Sequence, residues 1–138
     1  MVMKCRSLFA LCLVGMVLVL AMKTAVASHV VSYESSLTDQ CRITFASSIS
    51  DSRYYAYART TTTNSSATTS VSGTFYYLNI DTGVTASMGN GSGGNGNCGV
   101  EFTLSNVKCS FYKIISSHSV TYDGGVSSRR NMVNEVRP

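Results

Sequence analysis

Apolar and polar residues alternate with period two along most of the chain after residue 40. In CRITFA, Cys41, Ile43 and Phe45 fall on one side and Arg42 and Thr44 on the other, as a half-buried strand requires. RYYAYART places Tyr55 and Tyr57 opposite Tyr54, Ala56 and Ala58, and VSGTFYYLNI places Phe75 and Tyr77 opposite Tyr76, Leu78 and Ile80. The turn Asp81–Gly83 follows. The cleanest alternation is CGVEFTLS, with Cys98, Val100, Phe102 and Leu104 inward and Gly99, Glu101, Thr103 and Ser105 outward. After it comes NVKCSFYKIISS, with Val107, Cys109 and Phe111 on one face, and then SVTY before the turn DGG. A two-residue turn at Ser105-Asn106 would join these two runs as a hairpin, pairing Leu104 with Val107 and Phe102 with Cys109. The pattern predicts an all-β fold, a small antiparallel sandwich or open barrel of five to seven strands. Beyond Val126 no alternation is legible, and residues 126–138 read as a disordered tail.

Two polar tracts interrupt the pattern. GNGSGGNGNCG, Gly89 to Gly99, matches G-x-G-x-x-G twice, but a strand and not a helix follows it. No helix N-terminus stands ready for a pyrophosphate, so a dinucleotide site is excluded and the tract reads as a flexible inter-strand loop. TTTTNSSATTSVSG, Thr60 to Gly73, reads likewise as a polar hairpin loop. Each tract carries an N-glycosylation acceptor, Asn64 in NSS and Asn90 in NGS.

The N-terminus changes the context. Lys4 and Arg6 precede the apolar run Ser7 to Met22, and Ala25-Val26-Ala27 supplies the small residues of a cleavage site. Residues 1–27 are therefore expected to be a cleaved signal peptide, residues 28–125 a single β domain, and the protein secreted, with no stable membrane span. Without the signal, eight basic residues face the seven acidic ones, and three of the six remaining arginines (Arg129, Arg130, Arg137) lie near the C-terminus. No basic stripe remains to follow a phosphate backbone, which disfavours nucleic acid as a partner.

Candidate chemistry is sparse. Ser92-Gly93-Gly94 lacks the upstream base and the chain length of a serine protease. His118 reads as a surface residue at a serine-rich strand end, and two histidines without C-x-x-C or H-E-x-x-H are too few for zinc. No catalytic, metal or cofactor residues are assigned. In an oxidising compartment Cys41, Cys98 and Cys109 suggest one disulfide, Cys41 with Cys98 or alternatively Cys41 with Cys109. The leftover thiol leaves open an oligomer bridged through it. Arg53, Tyr54, Tyr55, Tyr57 and Arg59 form a candidate binding surface, since exposed Tyr and Arg give large contact area at small entropic cost.

The segment FYYLNIDTGVTASMGNGSGGNGNCGVEFTLSN followed by FYKIIS, Phe75 to Ser116, resembles the C-terminal half of small insect secreted proteins of the multiprotein bridging factor two family. The resemblance covers about a third of the chain and implies a secreted, non-enzymatic β domain, with no site residues transferred. Those proteins usually stop at the last strand, whereas this chain continues to Pro138, and its cysteines stand outside the pattern. The expected function is binding of an extracellular protein or surface ligand. Two alternatives remain: a membrane-active toxin or defence protein inserting the Thr/Ser hairpin, and a precursor cut at Arg129-Arg130.

Overall fold

The computed structural model describes residues 28–137; the predicted signal segment lies outside them. Eight antiparallel strands form two packed sheets: β1 (Ser28–Thr38), β2 (Cys41–Ser50), β3 (Tyr55–Thr62), β4 (Thr68–Asn79), β5 (Thr85–Asn95), β6 (Cys98–Thr103), β7 (Cys109–Tyr122) and β8 (Val126–Glu135). Sheet A runs β1-β2-β3-β6 and sheet B runs β5-β4-β7-β8. The all-β sandwich expected from the alternation is therefore present, with eight strands in place of five to seven. No described helix is long and apolar enough to cross a membrane.

The alternating runs bury the faces they specify. Cys41, Ile43 and Phe45 are buried from β2, Ala56 and Ala58 from β3, Val100 from β6 and Phe111 from β7. A bulge at Tyr112, where Tyr76 pairs with Lys113 but Tyr77 with Phe111, turns both Phe111 and Ile114 inward. Two apolar clusters result. One gathers Ile49, Ala58, Val71, Phe75, Val100, Phe111 and Ile114, and the other Cys41, Ile43, Phe45, Ala67, Val120 and Met132.

A polar belt crosses the interior between these clusters: Ser47, Thr60, Ser116, His118 and Asn134 are all buried. Asn134 Nδ2 donates to the carbonyls of Ser47 and His29, each at 2.9 Å, tying β8 to β2 and β1. Its Oδ1 lies 2.5 Å from His29 Nδ1. His118 bonds Thr60 Oγ1 through Nδ1 (3.0 Å) and Ser116 Oγ through Nε2 (2.8 Å), and stacks on Phe45. The expectation of a surface histidine is thus corrected. At a strand end the serines around His118 signal exposure, but alternation within a fourteen-residue strand turns the imidazole inward.

Several boundary expectations are corrected for one physical reason: backbone ladders recruit strand where side chains give no signal. The glycine tract is no loop. It forms most of β5, paired with β4 over an unbroken register from Thr68↔Asn95 to Leu78↔Thr85. A Cβ at Gly89 or Gly93 would approach the carbonyls of Gly73 and Thr69 to 3.2 and 3.1 Å, so glycine lets the two strands sit close. The Thr/Ser tract is mostly β3 and β4, leaving only residues 63–67 between them. The tail is β8, hydrogen-bonded to β7, and Arg129-Arg130 sits within it. Its inward positions, Arg130 over Tyr33 at 3.9 Å, Met132 and Asn134, are too polar to read as a core face.

The Ser105-Asn106 hairpin does not form. Asn106 does turn the chain, accepting from Cys109 N and Lys108 N, but the chain then crosses from sheet A to sheet B. β6 pairs with β3 and β7 with β4, while Val107 is 73% exposed. Inward alternation satisfies either arrangement because both sheets face one core. No pair among the three described cysteines lies at disulfide distance in the structure, so neither the expected Cys41–Cys98 bridge nor the alternative Cys41–Cys109 is formed there. Cys41 is on β2 and Cys98 on β6, with β3 between them, and Cys109 belongs to the opposite sheet. Two strand spacings of about 4.8 Å already exceed disulfide reach.

Candidate functional site

The expected Tyr/Arg surface divides into two parts. Arg53, at φ 58°, occupies the turn after β2, and its Nη2 donates to the Arg137 carbonyl at 2.8 Å. Tyr54 donates its hydroxyl to the Val107 carbonyl at 3.1 Å. Both staple loops together at one end of the sandwich. Tyr55, Tyr57 and Arg59 project from β3 onto the outer face of sheet A, where β6 adds Glu101, opposite Tyr57.

That outer cluster is internally satisfied. Glu101 Oε2 accepts from Tyr55 Oη at 2.6 Å and from Arg59 Nη2 at 3.0 Å. The Tyr55 and Arg59 hydrogen bonds hold the Glu101 carboxyl below its ordinary range, while burial and then the carboxylate push the Tyr55 phenol up. Arg59 also lies 4.4 Å from the Tyr57 ring centroid. Bare Gly99 makes this possible, because a Cβ there would meet Arg59 Cγ at 2.9 Å. A guanidinium already shared among a carboxylate, a phenol and a ring has little left to offer a ligand.

The outer face of sheet B is different. Antiparallel register sets rows across four strands: Gly93, Ser70, Ser119, Arg129; then Gly91, Ser72, Ser117, Asn131; then Gly89, Thr74, Ile115, Val133. Because Gly89, Gly91 and Gly93 occur at every second position, all three fall on this face and leave it without side chains from Gly89 to Gly93, between Ser87 and Asn95. The β4 positions beside them carry only the short hydroxyl side chains of Ser70, Ser72 and Thr74. Two contiguous open depressions result, of about 500 Å³ over Ser70, Ser72, Ser117 and Ser119 and about 460 Å³ over Thr74, Gly89 and Ile115.

The trough has a polar end and an apolar end. Ser70 and Ser119 share a hydrogen bond at 2.7 Å, whereas Ser72 and Ser117 hydroxyls have no side-chain partner among the described residues. Arg129 and Asn131 rise from β8 as exposed donors, and Ile115 and Val133, 39% and 55% exposed, close the other end. His118, directly beneath, is turned to the core and pushed down to about 4 by burial, so it offers the trough no base. Among the described residues no group of three His, Cys, Asp or Glu is placed to hold a metal.

The trough was missed because glycine-rich sequence reads as loop. The signal that reveals it is period: glycine at i, i+2 and i+4 opposite Ser/Thr at i, i+2 and i+4 is a strand face and not a connector. The two acceptor asparagines also differ in place. Asn64 sits in the β3–β4 turn with Nδ2 donating to Tyr122 Oη at 3.0 Å, while Asn90 lies exposed on β5.

No protein-family profile and no curated protein matches the chain. Among solved structures, a crystal structure assigned as an ApaA protein from Bordetella pertussis is similar at 8% identity, covering 79% of this chain and 91% of that one with a TM-score of 0.27. A likeness at that score bears on neither fold nor function.

Proposed function

We propose that this protein is a secreted, non-enzymatic binding module that takes an uncharged, polyhydroxylated ligand, a saccharide chain, in the sheet B trough. The observation that carries the reading is the bare glycine–serine floor, whose Ser72 and Ser117 hydroxyls have no side-chain partner among the described residues and stand beside the donors of Arg129 and Asn131. A sugar presents hydroxyls in both hydrogen-bonding senses and an apolar C–H face, which matches hydroxyls and amides at one end and Ile115 and Val133 at the other. The trough holds no carboxylate to repel or to catalyse, and its shallow, open form suits a chain laid across it. Secretion rests on the N-terminal pattern, and the family resemblance in Phe75–Ser116 fits the same reading.

The test is binding to a panel of neutral oligosaccharides, with Ser72→Arg and Ser117→Arg to fill the trough and Thr103→Arg on the outer face of sheet A as a control. Retention of a neutral oligosaccharide, lost in the first two variants and kept in the third, is expected. Retention that survives both filling variants would overturn the reading. A second reading, a protein partner on the sheet A face, is favoured by the half-exposed Tyr57 ring with exposed Arg59 stacked over it, and Tyr57→Ala would then abolish capture without disturbing the trough.

A further inference from the structure

Four strands end the two sheets, and three of them carry features that discourage pairing with another chain. β1 has Glu34 and a register break between Ser36 and Thr38. β6 is only six residues long and carries Glu101. β8 carries Arg129, Arg130 and Glu135. Edge charges, bulges and short length are the devices by which sheets avoid edge-to-edge association.

β5 has none of them. Its eleven residues, TASMGNGSGGN, include no charge and no proline, and its register with β4 is unbroken. One outward amide, Gly91 N–H, is turned onto Asn90 Oδ1 at 2.8 Å. A rotatable side chain is all that shields it.

The order of residues selects the partner. An antiparallel pair about a two-fold axis normal to the sheet places each residue opposite one whose number sums with it to a fixed even value. Centred on Ser92, that register sets Ser92 against Ser92, Gly91 against Gly93, Asn90 against Gly94, and Gly89 against Asn95. Every asparagine meets a glycine, and the outer-face positions beside the axis are bare on both strands. A charged or bulky peptide would find no charge on this strand, and from Gly89 to Asn95 only glycines and the short side chains of Asn90, Ser92 and Asn95 to read it.

We infer that β5 is the self-association edge of this protein: two copies join β5 to β5 antiparallel, making one continuous eight-stranded sheet from two copies of sheet B. The contact is independent of what the trough binds. It brings the two glycine floors together at the centre of the joined sheet, and a glycan on Asn90 would stand in its way.

Sedimentation velocity of the mature protein, produced without glycosylation, tests this across a wide concentration range. The wild type is expected to show a concentration-dependent dimer. Gly91→Lys, where a Cβ finds only ordinary contacts at 3.5 and 3.7 Å, and Asn90→Lys should each shift it to monomer. Ser127→Lys, on the opposite edge of the same sheet, should leave the dimer intact. Mild oxidation of Ser92→Cys should give a disulfide-linked dimer on a non-reducing gel, because that register brings the two positions face to face. A monomer at every concentration, a dimer indifferent to both β5 lysines, equal loss in Ser127→Lys, or a Ser92→Cys dimer that does not cross-link would each overturn the proposal. Unchanged circular dichroism in either β5 variant suffices to separate lost pairing from lost folding.

Discussion

Acidification should unfold this protein through His118. The imidazole is 1% exposed, bonds Thr60 and Ser116, and stacks on Phe45; its register partner on β8, Arg130, turns its guanidinium over Tyr33, and among the described residues no carboxylate is bonded to the ring. Burial lowers its pKa from 6.5 to about 4. The folded state holds it neutral while the unfolded chain takes up a proton below 6.5, so between these values the unfolded state binds more protons. The stabilising contribution is fully present above pH 6.5 and is lost progressively as pH falls to about 4; below that, both states are protonated and the loss is complete. A gap of about 2.5 units at 1.36 kcal/mol each amounts to roughly 3 kcal/mol, a large fraction of the stability of a small domain. Urea unfolding at a series of pH values, for wild type and His118→Gln, measures it. The variant starts less stable, having lost the ring stack, but should fall less steeply over this window, since surface carboxylates contribute equally to both proteins. Parallel curves would refute the reasoning and mean that the folded protein accommodates a charged His118.

Further consequences follow from the packing. Asn134→Ala removes both donors that hold the His29 and Ser47 carbonyls and should destabilise by about 2–3 kcal/mol in denaturant melts. Gly73→Ala places a Cβ 2.7 Å from Phe75 Cε2 in the core and should lose about 1–3 kcal/mol, read as a lowered melting temperature. Maleimide without reductant should modify all three thiols of the mature protein in urea, and half-buried Cys98 before Cys41 or Cys109 in the native state; protection of two thiols in urea would restore a disulfide.

The elements legible in the sequence are those with one buried face. β2 and β6 follow from Cys41–Phe45 and Cys98–Phe102, whose apolar residues pack inward at every second position. β5 and β8 were illegible because an edge strand need not bury an apolar face. Gly89–Asn95 and Ser127–Asn131 owe their strand state to ladders with β4 and β7, and pairing partners cannot be read from composition. The Leu104–Val107 hairpin failed for a related reason. Alternation fixes which face of a strand is apolar, and not which of two facing sheets the strand joins. Of the site, Tyr55, Tyr57 and Arg59 were found together, but Glu101, which neutralises them, emerged only from the β3–β6 register. The trough needed three registers at once, since Ser70, Gly93, Ser119 and Arg129 lie far apart in the chain.

The measurement that addresses the trough most directly is amide chemical-shift mapping of the isotope-labelled protein titrated with the neutral oligosaccharide that it retains. The largest changes should fall on Ser70, Ser72, Gly91, Gly93, Ser117, Ser119 and Asn131, across four strands at one face of sheet B. Changes centred instead on Tyr57, Arg59 and Glu101, with the sheet B resonances unmoved, would contradict the assignment of this face as the functional surface.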